Sequence, residues 1–206
     1  MSKFFHEVRD PIHIFIKYDS YERDVINSQP FQRLRHIHQL GMTYLLYPGA
    51  THRRFEHSLG VMELAGRVYD ILINKPHSKI KNIVPQTPDE RNYWRRVIRM
   101  AGLCHDLGHL PFSHTAETLL PFGYSHEKLT IEIIKSKEMC QIWKNMRPPL
   151  NEDDIAKLAV GPKVFKEITF NDWEALLSEI ITSNAFGVDR IDYLLRDSYH
   201  TGVLYG

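Results

Sequence analysis

RNYWRRVIRMAGLCHDLGHLPFSHTAE (91–117) is the stretch from which the rest of the chain can be read. Apolar side chains recur at helical spacing through RNYWRRVIRMAGLCHDL (91–107), and Gly108 ends the run. Thr87, Pro88, Asp89 and Glu90 precede it as N-cap, first-position proline and first-turn acids. His105, Asp106, His109 and His114 then fall within a few residues, punctuated by Gly108 and Pro111. A helix packed only for stability has no need of so many polar groups, because each one buried requires a partner. The chain bends here to present side chains.

Working outward, the pattern stays helical. RFEHSLGVMELAGRVYDILIN (54–74) has apolar residues three and four apart and predicts a long helix. ERDVINS (22–28) and PFQRLRHIHQL (30–40) predict two shorter ones, the second opened by Pro30 and stopped by Gly41. Further helices are expected at 125–137, 138–145, 151–159, 172–184 and 187–200, with Asn151 and Asn171 as caps. Only DPIHIFIKY (10–18) alternates as a strand does. MTYLLYPGATHRR (42–54) and KPHSKIKNIVPQTPDE (75–90) read as irregular connections. The expected fold class is all-α with at most a small β-strand pair near the N-terminus.

Composition excludes several classes. With 43% hydrophobic and 25% charged residues the chain can build an ordinary globular core. Its 26 basic and 25 acidic residues leave a net charge of +1, so no global field draws it to nucleic acid or an anionic membrane. Two cysteines, Cys104 and Cys140, make neither a disulfide scaffold nor a thiolate zinc site. No apolar run is long enough to span a bilayer and no signal peptide is visible, so a cytoplasmic protein is expected.

The 12 histidines direct attention to metal chemistry. Adjacent His105 and Asp106 would point about 100° apart on a helix, so they share an ion only if both side chains bend to a common point. Further ligands must come from elsewhere, and His57 and Asp189 are the candidates. Two imidazoles and two carboxylates suit Mn, Fe, Zn, Ni or Mg better than Ca, and they leave coordination positions for water and substrate. A single histidine on a helix, such as His36 or His200, is ordinarily structural.

DPIH (10–13), FQRLRHIHQLG (31–41), THRRFEHSLGV (51–61), AGLCHDLGHLPFSH (101–114) and DRIDYLLRDSYHTG (189–202) occur in one order along nearly the whole chain. Together they resemble the HD-domain superfamily of metal-dependent phosphohydrolases. Within it they resemble the deoxynucleoside triphosphate triphosphohydrolase branch, which holds bacterial dGTPase-like enzymes and the animal enzyme that joins a SAM domain to an HD domain. The resemblance implies an HD-domain helical bundle over residues 1–206, forming the N-terminal part of a longer family architecture.

It also implies roles. His57, His105, Asp106 and Asp189 match the ligands of one divalent metal ion. His126 matches the catalytic histidine and Glu117 its acidic support, while His109 and His114 match histidines that face the phosphates. Arg54 and Arg190 match phosphate contacts. Gln39 and Asp197 match the pair that binds the sugar 3′-hydroxyl, and Tyr193 with Leu40 matches the surface that excludes a 2′-hydroxyl. Asp192 and Arg196, four residues apart, read instead as a helix-stabilising pair worth a few tenths of a kcal/mol.

The implied reaction is hydrolysis of a dNTP to deoxynucleoside and inorganic triphosphate, in a homo-oligomer that needs neither nucleic acid nor membrane. Other readings are a different HD phosphohydrolase, either a nucleoside monophosphatase or a cyclic-nucleotide phosphodiesterase, and a nucleotide-binding module without turnover. Where nucleotide-activated relatives carry an acidic residue that reads guanine, this chain has Asn27, with Gln32 and Arg35 as the remaining effector contacts.

Overall fold

The computed structural model describes residues 4–204 except 76 and 167, and the backbone alone at 113 and 114. A single hairpin, β1 (Phe5–Asp10) against β2 (Ile14–Asp19), opens the chain. The helices described after it are α1 (Ser20–Asn27), α2 (Gln29–Gln32), α3 (Arg54–Asn74), α4 (Pro88–Cys104), α5 (His126–Ile134), α6 (Lys137–Asn145), α7 (Glu152–Val160), α8 (Asp172–Thr182) and α9 (Val188–Thr201). The fold is all-α apart from the hairpin. Among the described residues no helix is long and apolar enough to cross a membrane.

α3 and α4 form the central pair. The Tyr69 hydroxyl, near the end of α3, donates to the Arg91 carbonyl near the start of α4, so the two helices run antiparallel. The beginning of α3 therefore lies beside the end of α4. Val61, Met62 and Ala65 of α3 and Val97, Ile98, Met100 and Leu103 of α4 are fully buried between them. α7 packs on α4 with α8 behind it, and α9 crosses α3, so the first turn of α9 reaches the same end of the bundle.

Local signals that involve only neighbouring residues appear where expected. Thr87 and Glu90 form a reciprocal capping box on α4, and Asn151 and Asn171 cap α7 and α8. Three expectations are corrected, each by a contact distant in sequence or by a turn. The strand read at 10–18 is split. Asp10 Oδ1 accepts from the backbone N–H of Ile12 and His13, both at 2.9 Å, and the turn so closed returns β2 onto β1.

The helix read at 30–40 ends after α2 in a 3-10 turn, Arg33–His36. Residues 37–39 extend instead to pair with 52–54, with Arg54 N–H donating to Ile37 O at 2.9 Å and Gln39 N–H to His52 O at 3.0 Å. The helix read through 107 stops at Cys104, with His105 as its C-cap. His105 and Asp106 thus sit on a turn and are free of the 100° helical separation.

Asp19 joins α1 to α4. Its carboxylate accepts from the N–H groups of Tyr21 and Glu22 at 2.9 Å and from Arg96 Nη2 at 2.8 Å. Burial alone would raise its pKa, but the Arg96 hydrogen bond and the helix N–H groups outweigh it and hold the carboxyl below 3.8. A depressed folded-state pKa stabilises the fold above the unfolded value, and that contribution is lost as pH falls through the folded value. Asp19→Ala is expected to cost about 2 kcal/mol at pH 7 in urea unfolding, with the gap from wild type narrowing below about pH 4. A pH-independent gap would contradict this.

Candidate metal and catalytic site

Four side chains from three elements meet at the shared end of the bundle. His57 stands in the first turn of α3, His105 and Asp106 on the turn closing α4, and Asp189 in the first turn of α9. His57 Nε2 lies 3.0 Å from Asp189 Oδ1 and 3.9 Å from Asp106 Oδ2. His105 Nε2 lies 3.4 Å from Asp106 Oδ1 and 3.5 Å from Asp189 Oδ1. Ligand atoms of His57, His105 and Asp106 all fall within 4.8 Å of one another, close enough to hold one metal ion.

The donor set fits a cation on a specific observation. His105 Nδ1 donates to the Gly102 carbonyl at 2.8 Å, which leaves the lone pair on Nε2. That Nε2 is buried and has no hydrogen-bond partner. A buried imidazole nitrogen between two carboxylates is the arrangement of a ligand with its tautomer fixed from behind.

The electrostatics agree. Burial would raise the Asp106 pKa, but Arg54 and the surrounding histidines hold it well below 3.8. Asp189 is likewise lowered against burial by His105 and His57. Burial would lower His57, yet its hydrogen bonds with Asp189 and Asp192 push it up to about 10. The pocket favours positive charge strongly enough to retain a proton there.

A second group of residues adjoins the first. His109 Nε2 lies 3.4 Å from Asp106 Oδ1. The His109 ring stacks on His126, with centroids 3.9 Å apart and planes 22° from parallel. His126 Nδ1 donates to Glu117 Oε1 at 2.7 Å, with Glu127 at 3.4 Å. The turn is braced from both sides. Arg33 donates to the carbonyls of Leu107 and His109, and Thr130 Oγ1 accepts from Gly108 N–H and donates to His105 O. A Cβ at Gly108 would fall 1.9 Å from the His126 carbonyl oxygen, so glycine is what lets the turn lie against the start of α5.

Both groups open into one cleft of about 1290 Å³, which segments 159–164 and 181–185 also line. A family model described as "HD domain" matches residues 54–197, which contain all of these side chains except Arg33. The chain belongs to the HD domain family.

Similarity extends beyond the HD domain. The chain is 39% identical to an uncharacterized protein of Methanocaldococcus jannaschii, over 97% of this chain and 35% of that one. It is 36% identical to the mouse protein named deoxynucleoside triphosphate triphosphohydrolase SAMHD1, over 94% of this chain and 31% of the relative. A crystal structure of a hypothetical protein from Aquifex aeolicus superposes with a TM-score of 0.75 at 39% identity, covering 98% of this chain and 48% of that one. The chain spans about a third of the length of these two curated relatives.

Within this HD domain most expected residues converge. Gln39, Leu40, Arg54, His109, His126, Tyr193 and Asp197 line the cleft together with His105, Asp106 and Asp189. Arg54 pairs with Asp106, and Glu117 reaches the site through His126. Arg190 is not brought in: it is exposed and donates to the Asn184 carbonyl. The His114 side chain lies outside the described residues. Asn27, Gln32 and Arg35 do not line the cleft. Asn27 is exposed, Gln32 donates to Ile26 O at 2.6 Å, and Arg35 covers the Phe55 ring at 3.5 Å.

Two contacts with a bearing on the site escaped the sequence reading. His52 Nε2 donates to Asp197 Oδ1 at 2.7 Å. Asp192 forms the expected i,i+4 pair with Arg196, but it is completely buried and also accepts from His57 Nδ1 at 2.8 Å, a contact the sequence reading did not include. Val188, Asp192 and Arg196 share the buried face of α9 at four-residue spacing, and charge on a face that should be apolar was the available signal. Mn²⁺ at a hundredfold excess over its Kd should stabilise the protein by about 2.7 kcal/mol, a rise in Tm of about 5–10 °C. The rise should vanish with chelator and in His105→Ala. Equal rises in both proteins would place the ion elsewhere.

Proposed function

We propose that this HD domain hydrolyses deoxynucleoside triphosphates at the α-phosphorus, releasing a deoxynucleoside and inorganic triphosphate. The observation that carries the reading is the contact between the cation-demanding cluster and the His126–Glu117 pair across His109, on one wall of a nucleotide-sized cleft. Relatives named for this reaction, at 32–36% identity over more than nine-tenths of the chain, support it.

His57, His105, Asp106 and Asp189 would hold one divalent cation. When bound, such an ion supplies Lewis acidity, lowering the pKa of a water from about 15.7 toward 7 and offsetting phosphate charge. His126 Nδ1 donates to Glu117, and in this reading its protonated Nε2 delivers a proton to the 5′-oxygen as the bond to phosphorus breaks. The water adds its hydroxyl to the α-phosphorus, and its remaining proton replaces the one His126 Nε2 has given up, so the atoms balance. His109, stacked beneath His126, and Arg54, beside Asp106, face the charge that develops on the phosphate.

Gln39 and Asp197 also line the cleft: His52 holds Asp197 Oδ1, while Gln39 Oε1 is buried without a hydrogen-bond partner. Asp197 and Gln39 would bind a sugar hydroxyl, with Tyr193 of the same lining as the aromatic surface beside it. Incubation of the purified protein with Mn²⁺ and each dNTP, followed by ion-exchange chromatography, is expected to yield intact triphosphate. Pyrophosphate or single phosphates would instead mark another HD phosphohydrolase. His126→Ala should lower kcat by about 10²–10⁴ while Mn²⁺ binding persists, and an unchanged kcat would remove His126 from the mechanism.

A further inference from the structure

The hairpin at the start of the chain is tied to the metal site by a buried network. Asp192 has no exposed surface, and each of its oxygens takes one imidazole and one guanidinium N–H. Oδ1 accepts from His13 Nε2 at 2.6 Å and Arg196 Nη2 at 3.0 Å. Oδ2 accepts from His57 Nδ1 at 2.8 Å and Arg196 Nε at 2.9 Å. Arg196 Nη1 continues to Asp10 Oδ2 at 2.8 Å, and Asp10 Oδ1 closes the turn that carries His13. Residues 10 and 13 are thus joined to α9 at two points, although they lie more than 170 positions away in sequence.

Two backbone features point the same way. Ile14, directly after His13, has φ of +67°, a left-handed conformation that a β-branched residue rarely adopts. Strain of this kind persists only where surrounding structure imposes it, and here it falls at the residue that follows the buried imidazole. On α3, a Cβ at Gly60 would come within 1.9 Å of Asp192 Oδ1 and 2.6 Å of Arg196 Nη2. Gly60 lies three residues beyond His57 on the same helical face, so its missing side chain is what admits the carboxylate to the His57 ring.

We propose that His13 is a positioning residue of the metal site: by fixing Asp192 it holds the His57 ring with Nδ1 donating and Nε2 turned toward Asp189 and Asp106. The proposal rests on the metal reading above. His13 touches neither cation nor substrate, since Asp192 and the His57 ring stand between. Without it Asp192 keeps only the guanidinium and His57 as donors, and the ring loses the constraint that selects its ligating nitrogen.

Calorimetric titration with Mn²⁺ alone tests this. Wild type is expected to bind one ion, His13→Ala to bind it about 10–100-fold more weakly, and His13→Gln to recover most of the loss because its amide nitrogen can still donate to Asp192. Ile14→Gly, which accepts the left-handed backbone and leaves the His13 side chain in place, should bind as wild type does. Leu177→Ala, fully buried in the α8 core, is the control for general loosening and should lower Tm without changing Kd. If His13→Ala fails to fold, His13→Asn, too short to reach Asp192, replaces it against His13→Gln. Wild-type affinity in His13→Ala or His13→Asn would overturn the proposal alone. A wild type that takes up no Mn²⁺ would remove the metal reading and the proposal with it.

Discussion

Asp106 is a carboxylate kept ionised in the protein interior, and the arrangement around it follows from that single constraint. An unpaired buried charge is costly, and breaking such a pair by removing one partner is strongly destabilising. Asp106 is met by Arg54 on one side and by His57, His105 and His109 on the others. Asp189 adds a second negative charge to the same space. Two carboxylates with their imidazoles make an environment in which a divalent cation is the natural counter-charge, and His105 Nε2 is the lone pair waiting for it.

The bundle exists in the form that brings these groups together. Antiparallel packing of α3 on α4 sets the first turn of one against the last turn of the other, and α9 delivers Asp189 to the same end. Behind these side chains the support is polar. Arg33 clamps two carbonyls of the turn, Thr130 bridges two more of its backbone groups, and Asp192 gathers donors from α3, α9 and the hairpin. Each bond fixes a segment that carries one of the clustered side chains rather than filling space, which is how a site is held to tolerances finer than apolar packing alone supplies.

Most helices were legible in the sequence because their determinants are local: spacing of apolar residues, Thr87 with Pro88, Asn151 and Asn171 as caps. What could not be read locally was decided by partners far along the chain. The helix expected at 30–40 gives way because segment 37–39 finds backbone partners at 52–54. His105 and Asp106 leave the helix because α4 ends at Cys104. The four side chains of the proposed metal site were visible as residue types in motifs, and the structure brings them to one end of the bundle. Arg190 matched a motif but points elsewhere, since a side chain's direction is set by its surroundings and not by its position in a pattern. The contact of Asp192 with His57 and that of His52 with Asp197 were missed for the same reason, as they span 135 and 145 residues.

In the proposed site His57, His105, Asp106 and Asp189 surround one cation. Anomalous diffraction from crystals equilibrated with Mn²⁺ addresses this arrangement directly. The expected result is a single anomalous peak within bonding reach of His57 Nε2, His105 Nε2 and a carboxylate oxygen from each aspartate. A map with no peak there, or with its peak held by His109, Glu117 and His126 instead, would contradict it.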